Sequence, residues 1–391
     1  MVTKQELENR LSALCSALGN DWDTAFIINK INQYYLTGTM QDGLLVIKKD
    51  GTAAYFVRRS FERARDESPL DSIYPMSSYK DAAAIIGGDC KTTYIEAETM
   101  TIGAQKRLEK YFSFDRLLPI EKSIMSVRSV KSPYETELLE HTGRLHNDFL
   151  VNIVPSYLEE GISEAELTGR LYRALLTHGH QGVVRFGMFQ TEMPFGQIGF
   201  GENSLYPTSF DGPGGMKGMS AAVPTVGSRE RLLRKGDLVF IDFAYGVEGY
   251  HTDKSQVYMF GAKPSAEVET AHRRCINVQK QTASFLKAGS IPSDIYNKVM
   301  EGLDDNFKEN FMGFKNRQAK FLGHGVGLQV DETPVIANGF NEPLTENTVI
   351  ALEPKKGIEG IGMVGVEDTY IVTKDGGRCI TGGGCDIIVK L

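Results

Sequence analysis

The feature that most constrains this chain is a repeat inside its second half. Tyr157-Leu158-Glu159-Glu160-Gly161, ahead of one helical stretch, is echoed 128 positions later by Phe285-Leu286-Lys287-Ala288-Gly289 ahead of another. Leu233 to Asp242 (LRKGDLVFID) is echoed 111 positions later by Leu344 to Glu353 (LTENTVIALE), so that in both copies an apolar strand ends on a carboxylate. Two copies of a helix, helix, β-hairpin unit predict a pseudo-twofold domain with a site between its halves.

With 391 residues, 41% of them hydrophobic, the chain is long enough for two domains. Residues 1–125 read as a small α/β domain: strand-like AFIIN, YYLTGTMQDG and LLVIKKDGTAAYFV, a hairpin turn at Lys49-Asp50-Gly51, and helices near 3–18 and 102–112. A Ser-, Lys- and Arg-rich connector is expected from Lys122 to Lys131. Residues 126–391 read as the second domain, which makes the fold class α+β. Ser132-Pro133-Tyr134-Glu135 offers an N-cap serine, a proline at the first helical position and a glutamate three residues after the cap. Helices are predicted over 133–154 and 163–178. The Gly-, Pro- and Met-rich stretch from Gly179 to Ser228 then reads as loops that line something.

The formal charge is −7, from 43 Lys+Arg against 50 Asp+Glu, and the basic residues form no stripe, which argues against a nucleic-acid partner. Cys15, Cys90, Cys275, Cys379 and Cys385 form no CxxC pair and read as reduced thiols. The N-terminus has no continuous apolar core, and no run approaches the ~18 apolar residues of a membrane span. The expectation is a cytoplasmic protein without a membrane partner.

Five residues carry the candidate chemistry. Asp242 lies inside Leu238-Val239-Phe240-Ile241-Asp242-Phe243-Ala244, where a carboxylate needs a salt bridge, a proton or a metal; alone it reads equally well as an ordinary buried acid or as a ligand. Asp253 follows eleven residues later, in a strand that can pair back through Gly246-Val247-Glu248-Gly249; alone it reads as a strand-end acid. Glu353, stopped by Pro354, and Glu367, within Gly362 to Val372, repeat the situation in the second copy. Four converging carboxylates would repel strongly, and two divalent ions would neutralise them. His324, between Gly323 and Gly325, completes the set, its small neighbours allowing the imidazole a close approach. Oxygen-rich donors with one imidazole suit Mn, Co, Zn or Fe(II), and two ions sharing a water can supply hydroxide near neutral pH.

With these residues in place, the chain resembles the pita-bread metallopeptidases, the family of methionine aminopeptidase, aminopeptidase P, prolidase and the metal-free relative creatinase, and their Xaa-Pro peptidase branch in particular. Tyr35-Leu36-Thr37-Gly38 resembles the N-terminal domain of that branch, and Arg128 to Glu135 its entry into the catalytic domain. The resemblance implies a pita-bread catalytic domain behind a creatinase-like one, with Asp242 on one ion, His324 and Glu353 on the other, and Asp253 and Glu367 bridging. It makes Glu353 or Glu367 the proton relay, and it implies a homodimer.

Two departures concern substrate. The family's upstream substrate histidine has no counterpart between His180 and His251, where the chain reads Phe210-Asp211-Gly212-Pro213-Gly214-Gly215-Met216-Lys217-Gly218. The histidine expected seven residues after His324 is Asp331. Losing both removes electrostatic help worth a few kcal/mol in the barrier. Asp331, Lys217 and Lys355 are the candidate substitutes, each open to the reading of a solvated surface charge. The leading expectation is hydrolysis of a peptide C–N bond near the N-terminus of a short peptide. Its alternatives are a small-molecule amidohydrolase or carbon–heteroatom lyase on the same metals, and a non-catalytic binding homologue.

Overall fold

The structure, a computed structural model, describes every residue except Met1, Phe189 and Asp211. The chain divides into two compact units, Met1–Arg128 and Ser129–Leu391.

In the first unit, helix α1 (Lys4–Ala17) is followed by β1 (Thr24–Ile27), α2 (Lys30–Thr37) and the hairpin β2 (Gly43–Lys48) and β3 (Ala53–Val57). Then come α3 (Phe61–Glu67), β4 (Ile73–Pro75), α4 (Tyr79–Ile86), β5 (Thr92–Ile95), α5 (Ile102–Leu108), β6 (Arg116–Pro119) and α6 (Glu121–Ser129). The strands form one mixed sheet in the order β4-β3-β2-β1-β5-β6, over a core that includes Phe26, Leu44, Val46, Phe56 and Phe112. The turn at Lys49-Asp50-Gly51 joins β2 to β3 as expected, closed by Gly51 N donating to Lys48 O.

Two expectations fail here. Tyr34 to Thr37 is helical, because the Asn29 side chain caps α2 by accepting from the Ile31 and Asn32 amides and Gly38, at φ 77°, ends it in the left-handed region. The supposed connector is the helix α6, with Ile124 buried on its inner face.

The second unit opens with α7 (Pro133–Asp148), whose Ser132–Glu135 capping box is formed on both sides. A π-turn at Phe149–Ile153 and a 3-10 turn at Val154–Tyr157 end that helical stretch, and α8 (Glu164–Thr177) follows. The first hairpin is β8 (Leu238–Val247) and β9 (Tyr250–Phe260), with the earlier strand β7 (Gly196–Phe200) antiparallel along β8. Next come α9 (Ala266–Phe285), α10 (Pro292–Glu301), α11 (Asp305–Lys308), the short pair β10 (Gly313–Phe314) and β11 (Arg317–Gln318), β12 (Phe321–Gly325) and β13 (Glu332–Ala337). The second hairpin pairs β14 (Val349–Leu352) with β17 (Asp368–Val372) and encloses the small ribbon β15 (Lys355–Ile358) and β16 (Gly362–Gly365); β18 (Gly377–Cys379) and β19 (Ile388–Lys390) finish the chain.

Two sheets result, β19-β9-β8-β7 and β13-β12-β14-β17-β18, and each rests on its own core. Ile241, Phe243 and Tyr245 point into one, with Phe149, Leu171 and Phe195. Ile350, Leu352 and Tyr370 point into the other, with Cys275, Leu286 and Leu322. Because strand side chains alternate, the residues one step along each hairpin, Asp242 and Glu353, face the opposite way, toward the other half. The repeat in sequence is therefore a pair of like-built halves that aim their acids at each other.

Candidate metal centre

Asp242 lies mid-strand in β8, opposite Ser255, and Asp253 lies in β9 opposite Ala244. The two acids are thus diagonal neighbours on one face of an antiparallel pair. In the other half His324 pairs with Ala351, and Leu352 pairs with both Gly323 and Asp368. Glu353, one step past β14, and Glu367, one step before β17, therefore share a face with His324. The halves are stitched beside the acids: Thr369 Oγ1 accepts from Asp253 N and donates to Asp253 O, both at 2.9 Å, and Ser255 N donates to Glu367 O at 3.3 Å.

The glycines around His324 have a reason the sequence reading missed. A Cβ on Gly323 would lie 2.1 Å from the Ala351 carbonyl oxygen, and one on Gly325 would lie 2.5 Å from that of Thr333. The neighbouring strands, and not the imidazole's approach, demand them.

Two overlapping donor triplets result, Asp253 with His324 and Glu367, and Asp242 with Glu353 and Glu367; the donor atoms of each lie within 4.8 Å of one another. The first triplet fits a divalent cation. His324 Nδ1 lies 3.0 Å from Gly325 O; donating there leaves Nε2 facing the carboxylates, the orientation a metal-ligating imidazole takes. Glu367 Oε1 is buried without a hydrogen-bond partner among the described residues, and such an atom calls for a ligand. Burial, with Glu367 and Asp242 beside it, pushes the Asp253 carboxyl well above its usual range. Burial disfavours a charged His324, yet Asp331, Glu353 and Glu367 outweigh it and hold the ring well above its ordinary value. At His324 the surrounding carboxylates decide the direction, whereas at Asp253 burial leads and the neighbouring acids add to it.

The second triplet has a cation of its own. Lys355, with a side chain 0% exposed, donates from Nζ to Asp242 Oδ2 at 2.7 Å, Glu353 Oε2 at 2.9 Å and Glu367 Oε2 at 2.6 Å. Burial opposes this charge, but the three carboxylates prevail and hold the ammonium's pKa well above that of a free lysine. Burial also pushes the Asp242 carboxyl up to about 7, against the pull of Lys355. Lys355 is thus neither the substrate contact nor the solvated surface charge that its sequence context offered: the side chain turns inward from β15, two residues past Glu353.

Lys217 takes the second of its two readings, a solvated surface charge. It is exposed, with its ammonium 5.7 Å from the Tyr206 ring centre, and it is not among the residues that line the cavity beside the acids. Asp331 does line that cavity, of about 30 Å³, and its Oδ1 lies 3.5 Å from His324 Nδ1. Phe186, Phe195, Phe210 and Phe243 contribute its apolar wall, so the Gly-rich stretch does line the site, while its Asp211 lies outside the described residues. Gln197, opposite Asp242 on β7, was missed; its Oε1 is buried without a partner among the described residues and faces the same cavity. Behind the ligands, Lys254 Nζ meets Asp368 Oδ1 at 2.7 Å, with both side chains at most 1% exposed, which fixes the residue next to Glu367.

Residues 137–374 match metallopeptidase family M24, and residues 9–130 match the creatinase/prolidase N-terminal domain. The chain belongs to family M24. Among curated proteins this M24 chain is similar to an uncharacterized peptidase of Staphylococcus aureus (strain USA300), 25% identical over 95% of the chain and 98% of the relative. Among solved structures it is similar to the prolidase from Pyrococcus horikoshii OT3, with a TM-score of 0.77 at 22% identity over 97% of this chain and 100% of that one. It is also similar to the Xaa-Pro dipeptidase from Bacillus anthracis, with a TM-score of 0.77 at 20% identity over 99% and 100%. The pita-bread domain of this M24 member accordingly follows a creatinase-type N-terminal domain, and its family is one of metal-dependent peptidases.

Proposed function

We propose that this chain hydrolyses the Xaa-Pro bond of short peptides at a metal centre whose protein ligands are Asp253, His324 and Glu367. The observation that carries this reading is the convergence of those three donors, with an orphaned Glu367 oxygen among them, at the wall of a cavity rich in phenylalanine. A bound divalent ion would supply hydroxide near neutral pH and polarise the scissile carbonyl. The chain's own groups do the rest. Glu353 gives Oε2 to Lys355 and keeps Oε1, 3.4 Å from His324 Nε2, so it can pass a proton to the leaving nitrogen. Phe186 and Phe210, their rings edge to face at 5.2 Å, offer an apolar surface that suits a prolyl ring. Asp331 presents a carboxylate to the substrate's ammonium or amide N–H. Mn, Co, Zn and Fe(II) all suit one imidazole among oxygens.

A cytoplasmic, homodimeric enzyme belongs to the same proposal. Five free cysteines support a reducing compartment, and no helix among the described residues is long and apolar enough to cross a membrane.

The test is chromatographic. Purified protein loaded with Mn or Co is incubated with Xaa-Pro dipeptides and longer Xaa-Pro peptides, and released products are quantified. Turnover that disappears with chelator is expected. Bound metal without turnover on any peptide would discard the peptidase assignment in favour of a small-molecule amidohydrolase or lyase.

A further inference from the structure

Asp242, Glu353 and Glu367 offer one oxygen each to a common point, and Lys355 Nζ stands at that point with three contacts of 2.6 to 2.9 Å. An ammonium has three N–H donors, and all three are used. Divalent ions such as zinc and magnesium hold carboxylate oxygens at about 2.0 to 2.2 Å. An ion on these same oxygens would displace the ammonium from its partners and bring two buried cations together. The β15–β16 ribbon that carries Lys355 is closely packed. Lys355 pairs with Gly365, at φ 132°, where a Cβ would lie 2.5 Å from the lysine Cα. Nζ further sits 5.7 Å from the centre of the Phe240 ring, whose face favours a cation. Glu367 uses Oε2 for the lysine and leaves Oε1 toward Asp253 and His324, so it bridges the tethered cation and the open triplet.

We infer that Lys355 is a built-in replacement for one of two cations: the protein binds a single divalent ion, at Asp253, His324 and Glu367, beside a covalently held ammonium at Asp242, Glu353 and Glu367. This rests on the metal-dependent reading above. The two-ion expectation from sequence assumed four acids without a cation of their own; Lys355 changes that balance. Its ammonium holds one oxygen each of Asp242, Glu353 and Glu367 in place, the task a second ion would otherwise perform.

The experiment is stoichiometric. Full-length wild type, Lys355→Gly and Lys355→Ser are stripped, saturated with Co(II), desalted and assayed for cobalt per chain by elemental analysis, with circular dichroism to confirm folding. One cobalt per wild-type chain and a twofold rise in the folded variants are expected. Two per wild-type chain, or no rise in variants that fold, overturns the inference. The wild-type count decides even if both variants misfold. Two ions with Xaa-Pro turnover intact would sink this inference alone, whereas no bound cobalt would overturn it together with the metal-dependent reading.

Discussion

Asp331 shows at the scale of one residue how a substitution can be recognised without its meaning being legible. Its place seven residues after His324 marked it as a departure, and the structure sets it on the cavity wall 3.5 Å from the imidazole. If it receives the substrate's N–H or ammonium, Asp331→Asn should raise KM and lower kcat/KM by roughly 10- to 100-fold, the range of a hydrogen bond to a charged group. Metal content should not change. Steady-state kinetics beside elemental analysis checks this, and a loss of metal in the variant would make Asp331 a support for His324 instead. The four acids among the five candidates stood out because buried carboxylates in apolar strands are costly and therefore informative. Lys355 was not: a lysine beside a second lysine reads as surface charge, and only the turn of the β15 ribbon shows which of the two points inward. Gln197 carried no signal in sequence, being one amide in a stretch with no clear period.

Elements were read best where local chemistry decides. The Ser132–Glu135 box marked the start of α7, and the continuous apolar run Leu238 to Ile241 marked β8. The helix α2 was misread because Tyr35 and Leu36 suit strands, while the signals that mattered were Asn29 before them and Gly38 after. The connector that proved to be α6 buries Ile124 and Arg128 on its inner face, which its polar composition hides. Strand-to-strand distance is what sequence hides most, and β12 illustrates it. Gly323→Ala would press a methyl against the Ala351 carbonyl, 2.1 Å from the ideal Cβ position. Separating β12 from β14 should cost about 1 to 3 kcal/mol and move His324 away from Asp253 and Glu367. The expected result is a lower melting temperature together with weakened metal binding; unchanged values for both would show that the sheet yields without disturbing the site.

Across the whole molecule, burial of neutral histidines sets an acid limit. His180 accepts from the Gly182 amide through Nδ1, and burial lowers its pKa to about 4. His272 accepts from Gly365 N and lies 2.8 Å from Cys385 O, and burial lowers it too. In the unfolded chain both regain a value near 6.5. Above that pH neither form is charged and nothing is lost. As the pH falls below about 6.5 the unfolded chain takes up protons that the folded one refuses, so stability declines toward pH 4 and then levels off for His180. That residue alone accounts for on the order of 3 kcal/mol. Thermal melts from pH 7.5 to 4 should show the decline, and His180→Gln should flatten part of it; an unchanged slope in the variant would assign the acid limit elsewhere. The tether on Lys355 has a parallel effect on how folding depends on supply. A diffusible ion stabilises the native state by an amount that grows with its free concentration and vanishes in chelator, whereas a cation carried on the backbone contributes the same at every dilution. With one of its two positive centres encoded in the chain, this fold is coupled to the metal content of its surroundings through a single ion, and scarcity of metal would deprive it of a catalyst before it deprived it of a structure.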